Sequence, residues 1–314
     1  MNNAELAAKS DLLVSAITAS TVGVQPAYAT PIMTIMVEKG VLMGLADVAN
    51  MVSKTMLWPK GQFGSRFMRP ATENSALALG DRSSPSTLTS VELTTVAIKG
   101  EADLSDEVLE DNAFGEAQFL AWIKSAIAPA VQRDVETMVI QGDTTSADTL
   151  LALQDGFLKR LTATAAQVDA ADVKFTRGLG NTIKKAMPVA LREPDPSMRF
   201  LMPSNIAQDY VDSVAQRATP LGDQSVMEGA VERLFGVDIV GVPLMPTNVG
   251  TGSHCGNVIY VNPKNLLIGI WRDIRVEQER SVRAASTAIV VRMRVGNNVK
   301  HLASAVLGSN VNAQ

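Results

Sequence analysis

The chain has 314 residues, enough for one large or two mid-sized domains, and its 46% apolar and 19% charged content describes an ordered globular protein, not a disordered tail. A formal net charge of -4 with both signs interspersed lacks the cationic footprint of a dedicated nucleic-acid binder, yet it suits a protein that encloses DNA without gripping it. The single cysteine, Cys255, excludes an intrachain disulfide framework and points to a reducing compartment, and no secretory signal precedes the first acidic residues, Glu5 and Asp11.

Residues 1–30 read as an arm with a helix over 4–19 that ends in a turn-prone stretch. Thr30 and Pro31 then begin a second helix, since threonine caps and proline is tolerated at the first helical position, while Gly40 and Gly44 weaken it. The most apolar region, 31–52, contains Glu38, Lys39 and Asp47, so it is amphipathic and buried against protein, not a membrane span.

Between Gln62 and Ile98 two extended limbs meet at a polar tip that carries Gly80, Asp81, Ser83, Ser84 and Pro85. In the return limb Val91 and Leu93 share one parity, and Val96 and Ile98 share the other. Strand side chains alternate faces, so the phase change predicts a bulge or a new packing environment at Thr94 and Thr95, where one part of the limb leaves the body that the other joins.

Ser105, followed by Asp106 and Glu107, opens a helix. A longer helix is predicted over 113–140, with Leu120, Ile123, Ile127, Val131, Val135 and Met138 on one face and Pro129 as a bending point. The segment QGDTTSAD closes it as a hinge. Beyond it, helices are expected over 176–187 and 204–217, and short strands over 199–202, 237–242 and 258–261. The last third alternates most clearly: Leu266, Ile268, Ile270, Ile274 and Val276 keep one parity, as do Ile289, Val291, Met293 and Val295, with Arg292 and Arg294 facing the other way. A long antiparallel pair packed on the long helix is expected there.

The search for chemistry finds little. Of the two histidines only His254 has a soft neighbour, Cys255, and two such residues fall short of the three or four ligands of a zinc site, so the expectation is a loop histidine beside a partly buried thiol, with no metal and no cofactor. The RGLGN run carries Gly178 and Gly180 but has Ile183 at the third position of a dinucleotide pattern, which favours a packed helix start over a nucleotide site. Asp106, Glu107, Glu110 and Asp111 read as a solvated helical face. Arg66, Arg69, Glu73, Asp81 and Arg82, mixed charges on an extended loop, are the candidates for contacts between subunits.

In their order and spacing, the segments VELTTVAIKGEADLSDEVLEDN, ETMVIQGD, FLMPSNIAQDYVDSV, RATPLGD, LFGVDIVGVPLMP, VNPKNLLIGIWRDIRVEQE and STAIVVRMRVGNNVKHLASAVL resemble the major capsid proteins of tailed bacteriophages, the Hong Kong 97 type of shell fold. The resemblance covers most of the chain, from about Pro31 to Leu307. It implies an α+β fold with an N-terminal arm (1–57), an extended loop (58–98), a peripheral domain with a long spine helix (99–150 and 262–296) and an axial domain (151–261 and 297–314).

It also implies a structural, non-enzymatic role. Copies of the chain would associate as pentamers and hexamers into an icosahedral virion shell around double-stranded DNA, assembled in the host cytoplasm with a portal protein, a separate scaffolding protein and a decoration protein, and without a membrane. Some relatives crosslink through a loop lysine, but this chain has none between Gln62 and Ile98, so no covalent ladder is expected on a denaturing gel of mature particles. No charged helical extension precedes the arm, hence the expectation of a separate scaffold; a longer precursor in infected cells would overturn it. An encapsulin-type nanocompartment shell is the nearest alternative, and a nucleotide-binding enzyme a remote one.

Overall fold

The computed structural model describes residues 40–62, 68, 70, 76, 78, 87–110, 116–164, 166–192, 197–216 and 233–314. The helix expected over 4–19, the helix start at Thr30 and most of the loop tip lie outside the described residues.

In chain order, a short helix α1 (Leu42–Leu45) leads into strands β1 (Asp47–Asn50), β2 (Thr55–Gln62), β3 (Thr87–Thr94) and β4 (Val96–Ser105). A short helix α2 (Asp106–Glu110) precedes the spine helix α3 (Glu116–Gln141), and α4 (Phe157–Thr164), β5 (Ala166–Lys174), α5 (Arg177–Ala186), β6 (Arg199–Met202) and α6 (Ser204–Ala215) follow. The chain ends through β7 (Arg233–Leu234), β8 (Val237–Gly241), β9 (Cys255–Val261), β10 (Leu266–Ser281), β11 (Ser286–Val299) and β12 (Ala305–Asn312).

These strands form a four-stranded sheet in the order β1-β10-β11-β4, a six-stranded sheet in the order β5-β12-β9-β6-β8-β7, and the two-stranded ribbon β2-β3. The phase change predicted at Thr94 and Thr95 is the point where the chain passes from ribbon to sheet: β3 pairs with β2, and β4 pairs with β11. Buried Thr95 anchors the crossing by donating its backbone N–H and its hydroxyl to the Lys54 carbonyl, at 2.9 and 3.1 Å. Gly296 permits the close approach, because a Cβ there would lie 2.2 Å from the Thr94 carbonyl oxygen.

Sequence and structure agree closely over residues 176–216, where the region beyond the spine helix was expected to hold two helices and a short strand. The α5 helix is capped by Thr176, whose hydroxyl accepts from the Leu179 N–H at 3.3 Å, and β6 spans the predicted 199–202. Phe175, Phe200, Tyr210 and Tyr260 form the aromatic centre of that region, with Phe200 and Tyr260 ring centroids 4.9 Å apart. A larger core joins the two main sheets: Met138 and Ile140 of the spine, Phe157 of α4, Leu201, Ile259 and Leu307 of the six-stranded sheet, and Leu266 and Met293 of the four-stranded sheet share one cluster.

Two expectations are modified. The spine stripe is real, but only its C-terminal part is sealed within the subunit: Val135 and Met138 are buried, whereas Leu120, Ile123, Ile127 and Val131 are only half-buried. The single parity expected along β10 is interrupted by register shifts on both sides of Arg272, and Ile274 and Val276 remain 38% and 43% exposed. Here β10 runs beyond the sealed core, so burial no longer holds its alternation strictly.

Asn265 ties the start of β10 to the segment between β11 and β12. Its side-chain amide donates to the His301 carbonyl at 2.9 Å and to Ser304 Oγ at 3.0 Å, and its Oδ1 accepts from the His301 N–H at 2.8 Å. Because the residue is buried, Asn265→Ala is expected to destabilise the subunit by about 2 kcal/mol, read as a lowered urea midpoint, with Asn265→Asp losing the two donated bonds and ranking with it.

Candidate assembly surfaces and a buried polar cluster

The outer face of the four-stranded sheet is strongly polarised in charge. Across β4, β11 and β10, Lys99 lies opposite Arg292, which lies opposite Arg275, and one row along Arg294 lies opposite Arg272. Trp271 sits among these cations, with the Arg294 and Arg272 guanidinium carbons 4.5 and 5.5 Å from its ring centroid. Together they line a recess of about 360 Å³. Lys99 pairs with Glu101, but among the described residues no carboxylate lies within ion-pair distance of Arg272, Arg275, Arg292 or Arg294. Toward the other end of the same face the charge reverses, since Glu101 and Glu277 flank Val290 while Asp103 and Glu279 flank Ala288. Like charges directly opposed on a sheet face destabilise it, so an intrinsic fold requirement does not account for the arginine rows.

A second constellation lies at one edge of the six-stranded sheet. Asp172 Oδ1 is 2.8 Å from His254 Nε2, which as partner to an acceptor-only carboxylate carries the proton and donates. The same oxygen accepts from Cys255 Sγ at 3.3 Å and from the Asn312 side-chain amide at 2.9 Å. The donated Cys255 thiol, followed by the histidine, holds the Asp172 carboxyl below its ordinary range against the opposing effect of burial. Burial, followed by the Asp172 carboxylate, pushes the Cys255 thiol up, which suppresses the thiolate that a nucleophile needs. His254 is the expected loop histidine beside a thiol, but the thiol is fully buried where partial burial was expected, and both side chains converge on an aspartate distant in sequence. No spacing rule in the sequence pointed to Asp172. The other histidine, His301, is held by its backbone at Asn265.

The glycine run resolves as packing, because a Cβ at buried Gly180 would lie 2.3 Å from Leu234 Cδ2. In the acidic segment Asp106 and Glu107 occupy the first turn of α2, and Asp106 accepts from Arg280 at 2.9 Å across the hairpin. The candidate contact residues Arg66, Arg69, Glu73, Asp81 and Arg82 lie outside the described residues.

The sequence model of the phage capsid family matches residues 21–310. The chain belongs to that family. A relative from Bacillus subtilis (strain 168), the prophage capsid protein YqbE, is 31% identical over 299 residues, covering 94% of each chain. Among solved structures, the capsid of a native GTA particle superposes with a TM-score of 0.69 at 19% identity, over 92% of this chain and 95% of that one. The capsid of the Myoviridae phage XM1 gives 0.62 at 12% identity, over 92% and 99%. The Hong Kong 97-type fold expected from the resemblance is thus the observed one. In this capsid-family chain no helix of the described residues is long and apolar enough to cross a membrane.

Proposed function

We propose that this chain is the major shell subunit of a tailed phage or prophage particle, with pentamers and hexamers of it closing an icosahedral container around double-stranded DNA. The observation that carries the reading is the match to the phage capsid family over residues 21–310. Its role is structural and non-enzymatic, and the DNA is enclosed without sequence-specific binding. Assembly takes place in the host cytoplasm, and the finished shell resides in the virion. A portal protein, a separate scaffolding protein and a decoration protein are its partners.

In this reading the arm (1–57) and the loop (58–98) overlap neighbours, the segments 99–150 and 262–296 form the peripheral domain, and 151–261 with 297–314 form the axial domain. The loop charges Arg66, Arg69, Glu73, Asp81 and Arg82 pair across subunits. The arginine rows add a second contact, whose partner is the acidic end of the same sheet face on another copy, at Glu101, Asp103, Glu277 and Glu279. Closed symmetry repeats each such contact, so individually modest interfaces hold a stable container.

Cryo-electron microscopy of particles from producing cells tests the reading. The expected result is a shell of this chain with fivefold and sixfold capsomers around DNA. Particles that enclose a copurifying enzyme and no DNA would instead favour a nanocompartment, and a chain recovered only as a compact monomer would overturn both.

A further inference from the structure

The Asp172, His254 and Cys255 side chains place three metal-ligating atoms within 4.8 Å of one another, one oxygen, one nitrogen and one sulfur. The backbone around them is unusual. Of the six non-glycine residues with positive φ among the described residues, four lie here: Ala171 at 50° and Asp172 at 64° in β5, Ser253 at 56° beside His254, and Asn310 at 53° in β12. The β12 ladders to both β5 and β9 also break their register at this level. Left-handed backbone at residues with side chains is costly and persists where the surroundings over-determine it, as at binding sites.

The supporting groups are in place. Asn312 holds the Asp172 carboxylate at 2.9 Å, and Asn310 links Asp169, at 2.9 Å, to the Thr251 N–H, at 3.3 Å. Gly252 lets the loop close on the imidazole, since a Cβ there would lie 2.5 Å from His254 Cε1. Such outer contacts orient ligands before a metal arrives.

The geometry points to a zinc-type site formed by Asp172, His254 and Cys255. A thiolate with an imidazole selects a borderline-soft divalent cation over magnesium or calcium, which take oxygen ligands. Ligand atoms about a tetrahedral zinc lie roughly 3.3–3.7 Å apart, so the present 2.8 Å separation of Asp172 and His254 needs to open by about half an ångström and the 3.3 Å separation of Asp172 and Cys255 by at most a few tenths. The Thr251 carbonyl, 3.3 Å from Cys255 Sγ, or a water supplies the fourth position. On binding, the Cys255 thiol gives its proton to solvent, the His254 Nε2 proton moves to Nδ1 through solvent, and the two hydrogen bonds to Asp172 are replaced by coordination. The cation would join β5, the edge strand, to β9 across β12, stapling that end of the sheet.

The test uses the full-length chain, loaded with zinc or cobalt(II) and dialysed against metal-free buffer. One metal per subunit, a thiolate-to-cobalt charge-transfer band, and loss of both in Cys255→Ser and Asp172→Asn are expected. Cys255 is the only cysteine, so the sulfur band has a single possible source. Metal retained equally by Cys255→Ser would overturn the site. Should that variant fail to fold, the wild-type spectrum decides, because a cobalt complex without the sulfur band overturns it as well.

Discussion

Glu136→Ala is expected to lower the unfolding free energy of the subunit by about 3 kcal/mol, because it strips the acceptor from three backbone donors at once. The Glu136 side chain projects from the spine and is fully buried. Its Oε1 accepts from the Val41 and Leu42 N–H groups, both at 2.9 Å, and its Oε2 from the Met43 N–H at 3.3 Å. These are the first amides of α1 and its approach, which have no carbonyl partner within the helix. Gly40 is part of the same device, since a Cβ there would lie 2.2 Å from Glu136 Oε2. The carboxylate thus ties residues 41–43 to the spine helix. Glu136→Gln, which keeps one acceptor oxygen, is expected to lose less. Denaturant titration ranks the variants, and amide exchange at residues 41–43 should accelerate in the alanine variant. An unchanged midpoint would mean that the segment docks through α1 and β1 packing alone.

The double substitution Arg292→Glu with Arg294→Glu is expected to reduce shell assembly at low salt by about tenfold or more while leaving the isolated subunit as stable as the wild type or slightly more so. Two effects oppose each other. Within the subunit, the arginines lie opposite Arg275, Lys99 and Arg272, and replacing them turns like-charge pairs into attractive ones. Between subunits, in the contact proposed above, the same change would place anions against the acidic end of a neighbour's sheet. Repetition around each capsomer multiplies a small pairwise loss. Light scattering of assembly across a salt series measures it, with wild-type assembly also weakening as salt rises. Equal assembly by the variant would remove the arginine rows from the shell contacts. A gain in subunit stability with assembly lost is the signature of a surface kept for its partners.

Much of the fold was legible because burial imprints a period on the chain. The parity change between Leu93 and Val96 located the crossing from ribbon to sheet, and the alternation from Ile289 to Val295 gave the buried face of β11 with Arg292 and Arg294 on the other. Thr176 and the strand at 199–202 were readable for the same reason, since capping chemistry and short apolar runs act over a few residues. Where packing relaxes, as in β10 beyond Ile270, the period lost its authority and the register shifted.

By itself the sequence determined the inward face of β11, the capped start of α5, and the family to which the order of its segments corresponds. It did not determine which distant groups meet. Glu136 reaches Val41 over 95 residues, and Asp172 reaches His254 over 82, with no local pattern marking either pair. Periodicity encodes a face, whereas a partner is chosen by the register of strands and the approach of backbones. Only the assembled sheets, with Gly40 and Gly252 allowing close contact and left-handed backbone at Asp172 and Asn310 re-aiming the side chains, brought those groups together.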